Sequence, residues 1–120
     1  MFYDLATFQD LVRDSQWCYL NERRPKQTCD KYCLTDDDVE NILCSLKLED
    51  FQKTVHNCRV EDAFDVCDFV DADQYSINWH EESKTRRTLW SKETIDFSLK
   101  IAIVTDSQGD AAGLVTFHAS

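Results

Sequence analysis

Residues 95–104 read IDFSLKIAIV, the turn residues 106–110 read DSQGD, and residues 112–118 read AGLVTFH. In the first stretch an apolar side chain occupies every second position from 95 to 103, which is the period of a strand with one buried face. The polar, glycine-containing segment that follows is typical of a turn. The two stretches therefore predict an antiparallel hairpin at the end of the chain. Four of its side chains are expected in the core: Phe97, Leu99, Ile101 and Ile103.

Two amphipathic helices are predicted ahead of this hairpin. Asp4 can cap a helix over residues 4–15, because an Asp side chain accepts hydrogen bonds from free backbone N–H groups. Its buried stripe would be Leu5, Phe8, Leu11 and Val12. Thr35 can cap a second helix over residues 35–47, whose first turn carries three aspartates that suit the positive end of a helix dipole. Its stripe follows at helical spacing: Val39, Ile42, Leu43 and Leu46.

The middle of the chain gives weaker patterns. Residues 16–33 read as irregular or as a short helix, residues 48–53 as a turn or short helix, and residues 81–94 as a loop. Residues 60–71 fit either a helix or a strand, whereas residues 75–80 alternate as a strand does. Because helices come first and strands later, the sequence predicts an α+β fold, with N-terminal helices packed on one face of a C-terminal antiparallel sheet. Residues 1–120 are expected to form a single domain.

The composition indicates a globular protein of the reducing cytoplasm. Hydrophobic residues make up 42% of the chain, no apolar stretch is long enough to span a membrane, and the first residues have no signal-peptide pattern. Of six cysteines only Cys29 and Cys33 are close in sequence. A zinc site completed by His56 and Cys58 is an open alternative, but free thiols packed as small hydrophobic side chains fit better. We therefore expect no metal and no cofactor.

Charge is the strongest feature of the composition. The chain has 23 acidic and 13 basic residues, a net charge of −10, and the segment from Glu61 to Glu82 has eight acids and no lysine or arginine. Proteins that bind nucleic acid normally offer Lys and Arg to the phosphates. An acidic surface would instead attract a basic partner, although a merely solubilising surface is an alternative.

Several short stretches resemble the MqsR family of messenger-RNA-cleaving toxins. They are the opening helix at YDLA (3–6), the segment LEDFQKT (48–54), and the hairpin stretches FSLKI (97–101) and LVTFH (114–118). The corresponding family words are DFYKSMT, VYLKIT and VSFK. The resemblance implies a RelE-like fold and a metal-independent ribonuclease that a partner antitoxin silences.

The resemblance carries over only some of the family's catalytic positions. Lys53 matches the lysine of DFYK, while the family's glutamine is lost if its word WQDVY is aligned with residues 63–67. The tyrosine before LK corresponds to Ser98, and the terminal lysine of SFK corresponds to His118, which could still transfer protons. The residues that could carry catalysis are Lys53, Lys100 and His118.

Two functions follow from these observations. The lost catalytic residues and the net charge favour an acidic, non-catalytic protein that inhibits a nucleic-acid-handling partner by occupying its basic surface, as anti-CRISPR proteins do. In this hypothesis Tyr75 and Trp79 are aromatic anchors beside the acids. The predicted contact residues are Asp65, Asp68, Asp71, Asp73, Tyr75, Trp79, Glu81 and Glu82. The alternative is an active messenger-RNA endoribonuclease of a toxin–antitoxin pair.

Overall fold

The computed structural model describes residues 1–60, 69–87, 94–106 and 108–119, and within them three helices cover one face of a six-stranded sheet. The helices are α1 (Leu5–Arg13), α2 (Arg23–Tyr32) and α3 (Asp36–Ser45), with a 3₁₀ turn at Leu48–Asp50. The strands are β1 (Trp17–Tyr19), β2 (Phe51–Arg59), β3 (Phe69–His80), β4 (Thr85–Arg87), β5 (Thr94–Asp106) and β6 (Gly109–Ala119). The sheet order is β1-β6-β5-β3-β2, and β4 pairs with β3. The predicted α+β class is confirmed.

The two predicted helix starts are confirmed by their caps. The Asp4 carboxylate accepts hydrogen bonds from the backbone N and the hydroxyl of Thr7, at 3.0 and 2.7 Å. Thr35 and Asp38 form a reciprocal capping box, in which each side chain accepts from the other's backbone N. The apolar stripes face the sheet as expected, because packing of these stripes is what stabilises short helices.

The structure differs from prediction between α1 and α3. Residues 17–19 form β1, which pairs in parallel with residues 112–114 of β6, so that the sheet is mixed rather than wholly antiparallel. A strand of three residues is too short to show a period. The helix α2 confirms the short helix that was one of the two alternatives for residues 16–33. It docks beside β6 through the Thr28 hydroxyl, which donates to the carbonyl of Phe117 at 2.7 Å.

Two further differences lie between residues 48 and 94. The 3₁₀ turn is confirmed, but β2 begins directly after it at Phe51, and β4 forms within the segment predicted as a loop. Two register shifts break the alternation of β2, one of them at Asn57, whose φ is 58°. In the ambiguous segment 60–71, residues 61–68 lie outside the described residues, and residues 69–71 are strand.

The C-terminal hairpin is confirmed. β5 and β6 pair antiparallel from Phe97 to Asp106, with one register shift after Lys100, and Phe97, Leu99 and Ile101 are fully buried against the helices, whereas Ile103 is half-buried. No helix in the described part of the chain is long and apolar enough to cross a membrane.

A second, smaller apolar cluster covers part of the opposite face of the sheet. Leu20 and Val60 pack there on residues of β3, β5 and β6. Leu20 lies so close to Gly113 that a Cβ on this glycine would be 2.5 Å from its side chain. The rest of this face carries polar side chains and is left open by the helices.

Candidate functional site

A row of polar side chains crosses the open face on the four longest strands. In the register, Lys53 of β2 is paired with Gln74 of β3, and Gln74 is paired with Lys100 of β5. Lys100 is in turn paired with Thr116 of β6. Residues that are paired across strands share a face, and alternation turns Lys100 away from Leu99, which faces the helices. The row therefore lies on the side that the helices do not cover.

A second row runs beside the first. Ser76 of β3 is paired with Ser98 of β5, and Ser98 with His118 of β6. The Gln74 side-chain amide donates to the Ser98 hydroxyl at 3.5 Å and so links the two rows. Ser98 is nearly buried among its neighbours, while the His118 side chain is exposed.

The structure brings together the three residues predicted for catalysis. Neighbouring strands are about 4.8 Å apart, which puts Lys53 and Lys100, two strands apart, about 10 Å from each other. His118 is a diagonal neighbour of Lys100, at about 7–8 Å. Lys53 and His118 are three strands and two positions apart, about 16 Å, so both side chains must extend across the sheet to meet at one phosphate group near Lys100.

The positive charges of this face have no charged partner among the described residues. Within the residues that the structure describes, Lys53, Lys100 and His118 form neither an ion pair nor a side-chain hydrogen bond. Four cations elsewhere do: Arg13 with Asp10, Lys26 with Glu22, Lys84 with Asp38, and Arg86 with Glu49 and Asp50. The open face therefore offers free positive charge to a ligand, although the protein as a whole is acidic.

The thiol of Cys58 lies near Lys100. Burial raises the pKa of Cys58 and is the largest effect, the ammonium of Lys100 opposes it, and Asp71 raises the pKa further. A thiol with a raised pKa is a poor nucleophile. Cys58 therefore contributes packing rather than chemistry to this face.

The two cysteines that are close in sequence lie in different environments. Cys29 is buried in the core, whereas Cys33 is exposed at the end of α2. Among the described residues, no group of three or more His, Cys, Asp or Glu side chains could hold a metal ion.

A groove of about 790 Å³ opens beside the polar rows, between the start of α2 and the end of β2. Its floor is formed by Val115 and Thr116 of β6, so it adjoins the first row. The residues around it are Asn21, Arg23, Arg24, Gln27 and Arg59.

The acidic run predicted as a partner surface is not one surface in the described residues. Asp65 and Asp68 lie outside them. Asp71 is near the start of β3, beside His56 at 3.2 Å, whereas Glu81 and Glu82 follow the other end of the strand. Ten residues of strand separate these acids by about 33 Å.

Three residues of the predicted partner surface are corrected by the structure, because they are buried. Tyr75 and Trp79 have no exposed surface and belong to the core beneath the helices, and burial raises the pKa of Tyr75 to about 12. Asp73 is also fully buried, and its carboxylate accepts from the backbone N of Phe2, the backbone N of Tyr3 and the hydroxyl of Thr54. These residues hold the fold together and are not accessible to a partner.

Sequence reasoning missed several residues of the open face. Gln74 stands between the two lysines in the register. The resemblance gave no signal for it, because the family word that contains a glutamine was aligned with residues 63–67, where no glutamine occurs. The alternation over residues 75–80 indicated that the polar residues there share a face, but only the register could place Gln74 beside Lys53. Arg59 gave no signal, because it follows an irregular part of β2.

Comparisons with known proteins found no relatives. No protein-family model, no curated protein and no solved structure matches this chain.

Proposed function

We propose that the open face binds single-stranded RNA and that the protein is a metal-independent endoribonuclease. The observation that carries this proposal is the register that unites Lys53, Lys100 and His118 on one uncovered face. The predicted inhibitor surface has no such support, since its aromatic anchors are buried and its acids are dispersed. The resemblance to the MqsR family points to the same chemistry.

The reaction that fits these groups uses the RNA's own 2′-hydroxyl. Its oxygen forms a bond to the adjacent phosphorus, the bond from phosphorus to the 5′-oxygen breaks, and a 2′,3′-cyclic phosphate and a 5′-hydroxyl result. The negative charge that builds on the phosphate is stabilised by the ammonium groups of Lys53 and Lys100. His118 donates a proton to the leaving 5′-oxygen, and the proton of the 2′-hydroxyl passes to water. The amide of Gln74 donates to a phosphate oxygen and orients it.

The test is cleavage of a labelled messenger RNA by the purified protein in the presence of a chelator. His118→Ala and Lys53→Ala should each lower the cleavage rate by about 100-fold or more, the usual effect of losing a proton donor or a charge-stabilising group. Lys47→Ala is the matched control, because Lys47 is an exposed lysine after α3 on the helix side. The products should carry 2′,3′-cyclic phosphate and 5′-hydroxyl ends.

Cleavage that is equal in all three variants would point to a contaminating nuclease and remove the proposal. Loss of cleavage together with unfolding would be recognised by circular dichroism. Both substituted side chains are exposed, so the fold should survive in each case.

The net charge of −10 favours a second function, binding to the basic surface of a nucleic-acid-handling protein and inhibiting it. Three exposed acids on the helix layer and beside it have no ion pair among the described residues and are available for this role: Asp14, Asp36 and Asp37. Such binding would slow as salt rises, because long-range attraction steers the association. It predicts that Asp36→Asn with Asp37→Asn slows capture of the partner, while His118→Ala has no effect. The opposite result, an effect of His118→Ala and none of the two Asp substitutions, would contradict this second function and leave the ribonuclease as the remaining proposal.

A further inference from the structure

The groove beside the polar rows carries three guanidinium groups. Arg23, Arg24 and Arg59 are exposed, and none of them forms an ion pair within the described part of the chain. The carboxylate of Glu22, next to Arg23, pairs instead with Lys26 at 3.4 Å. Of the described residues that line the groove, none is acidic. In a protein with ten more negative than positive charges, this is a local concentration of positive charge.

The walls of the groove are held in place by one side chain. The Asn21 amide donates to the carbonyl of Arg59 at 2.9 Å and to the carbonyl of Val115 at 3.0 Å. These bonds fix the end of β2 above β6. The neighbouring Val60 is buried in the smaller apolar cluster and anchors the same segment. Arg59 therefore faces Arg23 and Arg24 across a built groove rather than from a free loop.

Thr116 lies in the floor of the groove, where its hydroxyl oxygen is shielded from solvent and has no hydrogen-bond partner among the described residues. Thr116 is also paired with Lys100, which makes the floor continuous with the proposed cleavage site.

The chemistry of the groove suits nucleic acid. Guanidinium groups bind phosphate oxygens through two parallel N–H donors, and their flat faces stack on unpaired bases. A volume of about 790 Å³ is within the range that holds small organic ligands, which includes a nucleotide. Thr116 and His118 are two residues apart on β6, about 7 Å, so an RNA strand held at His118 can continue directly into the groove.

We infer that this arginine groove binds the single-stranded RNA that flanks the cleaved bond, holding a phosphate and an unstacked base outside the two nucleotides that the cleaved bond joins. The inference rests on the proposed function for the identity of its ligand, and it assigns the residues that set binding strength for long substrates. Arg23, Arg24 and Arg59 are binding residues and take no part in the bond-breaking step.

The experiment measures binding of a fluorescent octanucleotide by anisotropy over a salt series. The oligonucleotide carries 2′-O-methyl groups, so that the attacking hydroxyl is blocked and no cleavage occurs. Arg23→Gln with Arg24→Gln, and separately Arg59→Gln, should each weaken binding by about tenfold. The double variant should also flatten the dependence of log K on log salt by about 1 to 2, because each phosphate contact on a single strand contributes about 0.7. Arg13→Gln is the matched control on α1, where the arginine pairs with Asp10.

A second measurement separates this inference from the proposed function. A cleavable dinucleotide is too short to reach the groove, and the groove variants should cleave it at the wild-type kcat/KM. Groove variants that bind the octanucleotide as well as Arg13→Gln does would overturn the inference. If the groove variants bind weakly but the wild type cleaves no RNA, the groove stands and the ribonuclease proposal falls. If the wild type binds no oligonucleotide, both fall.

Discussion

The two faces of the central sheet come from the same strands but differ in what their side chains do. On β5, Leu99 is buried under the helices, while the next residue, Lys100, lies on the open face without a charged partner among the described residues. The covered face stabilises the fold by removing apolar surface from water. Outside the small cluster around Leu20 and Val60, the open face buries little apolar surface, and it can therefore carry charges that a ligand would satisfy. Because side chains alternate along a strand, the residues that stabilise the fold and the residues that are available to a ligand lie on opposite faces of the sheet.

The largest effect expected from this comparison is on the covered face. Leu99→Ala should lower the free energy of unfolding by about 3–4 kcal/mol, the cost of deleting a fully buried leucine side chain. Lys100→Ala, its neighbour on the open face, should change it by less than about 0.5 kcal/mol. Urea denaturation followed by circular dichroism measures both. Equal losses would mean that the two faces do not differ in this way.

The second-largest expected effect concerns the hydrogen bonds that join β4 to the end of the helix layer. The guanidinium of Arg86 donates two hydrogen bonds to the Asp50 carboxylate, both at 2.8 Å, and one to the carbonyl of Ser45. Because Asp50 is buried, Arg86→Ala leaves its charge unpaired and should cost about 3 kcal/mol. Adding Asp50→Ala to that variant should recover part of the loss. A double variant less stable than Arg86→Ala alone would contradict this account.

A smaller loss is expected where the N-terminal segment is tied to the sheet. Asp73→Asn replaces an acceptor of several hydrogen bonds by a group that turns an N–H toward its donors, and it should cost about 2 kcal/mol. Asp71→Asn is the control, since Asp71 is partly exposed beside His56. Hydrogen exchange should be faster at Tyr3 in the first variant only. Unchanged exchange there would show that Asp73 does not hold this segment.

The smallest expected effect depends on pH. The backbone N of Thr35 is the main cause of the lowered pKa of Asp38, burial opposes it, and Lys84 adds to the lowering. A carboxylate whose pKa is lowered by folding stabilises the folded state at pH values above its ordinary pKa of 3.8. It loses that contribution as the pH falls through the folded-state pKa. Asp38→Asn should cost about 0.5–1 kcal/mol at neutral pH and nothing in strong acid. Asp37→Asn, at an exposed position without a cap contact, is the control. A cost that persists in strong acid would exclude the carboxylate as its source.

Local patterns predicted much of the covered face. The caps at Asp4 and Thr35 and the alternation of residues 95–103 depend on neighbours within a few positions, and the structure confirms them. Long-range contacts decided the segments with weak local signals. β1 is a strand because β6 pairs with it, and α2 is the helix that its polar composition left as one of two alternatives.

The grouping of residues on the open face could not be predicted from local patterns. Sequence resemblance drew attention to Lys53, Lys100 and His118, but these residues are 47 and 18 positions apart in the chain. The acidic run wrongly predicted one partner surface, because residues that are close in sequence do not lie on one surface in the fold. In the fold, one of its aspartates is a buried acceptor, and its two aromatic neighbours belong to the core.

The sequence by itself determined the α+β class, the helix starts and the alternation of the final hairpin, because these follow from hydrogen bonds and apolar periods between near neighbours. Only the tertiary structure decided which polar residues meet. Strand register depends on pairings between distant segments, and a shift of one residue would turn Lys53, Lys100 or His118 to the opposite face. The arginine groove is likewise set by packing, since Asn21 and Val60 hold the end of β2 over β6.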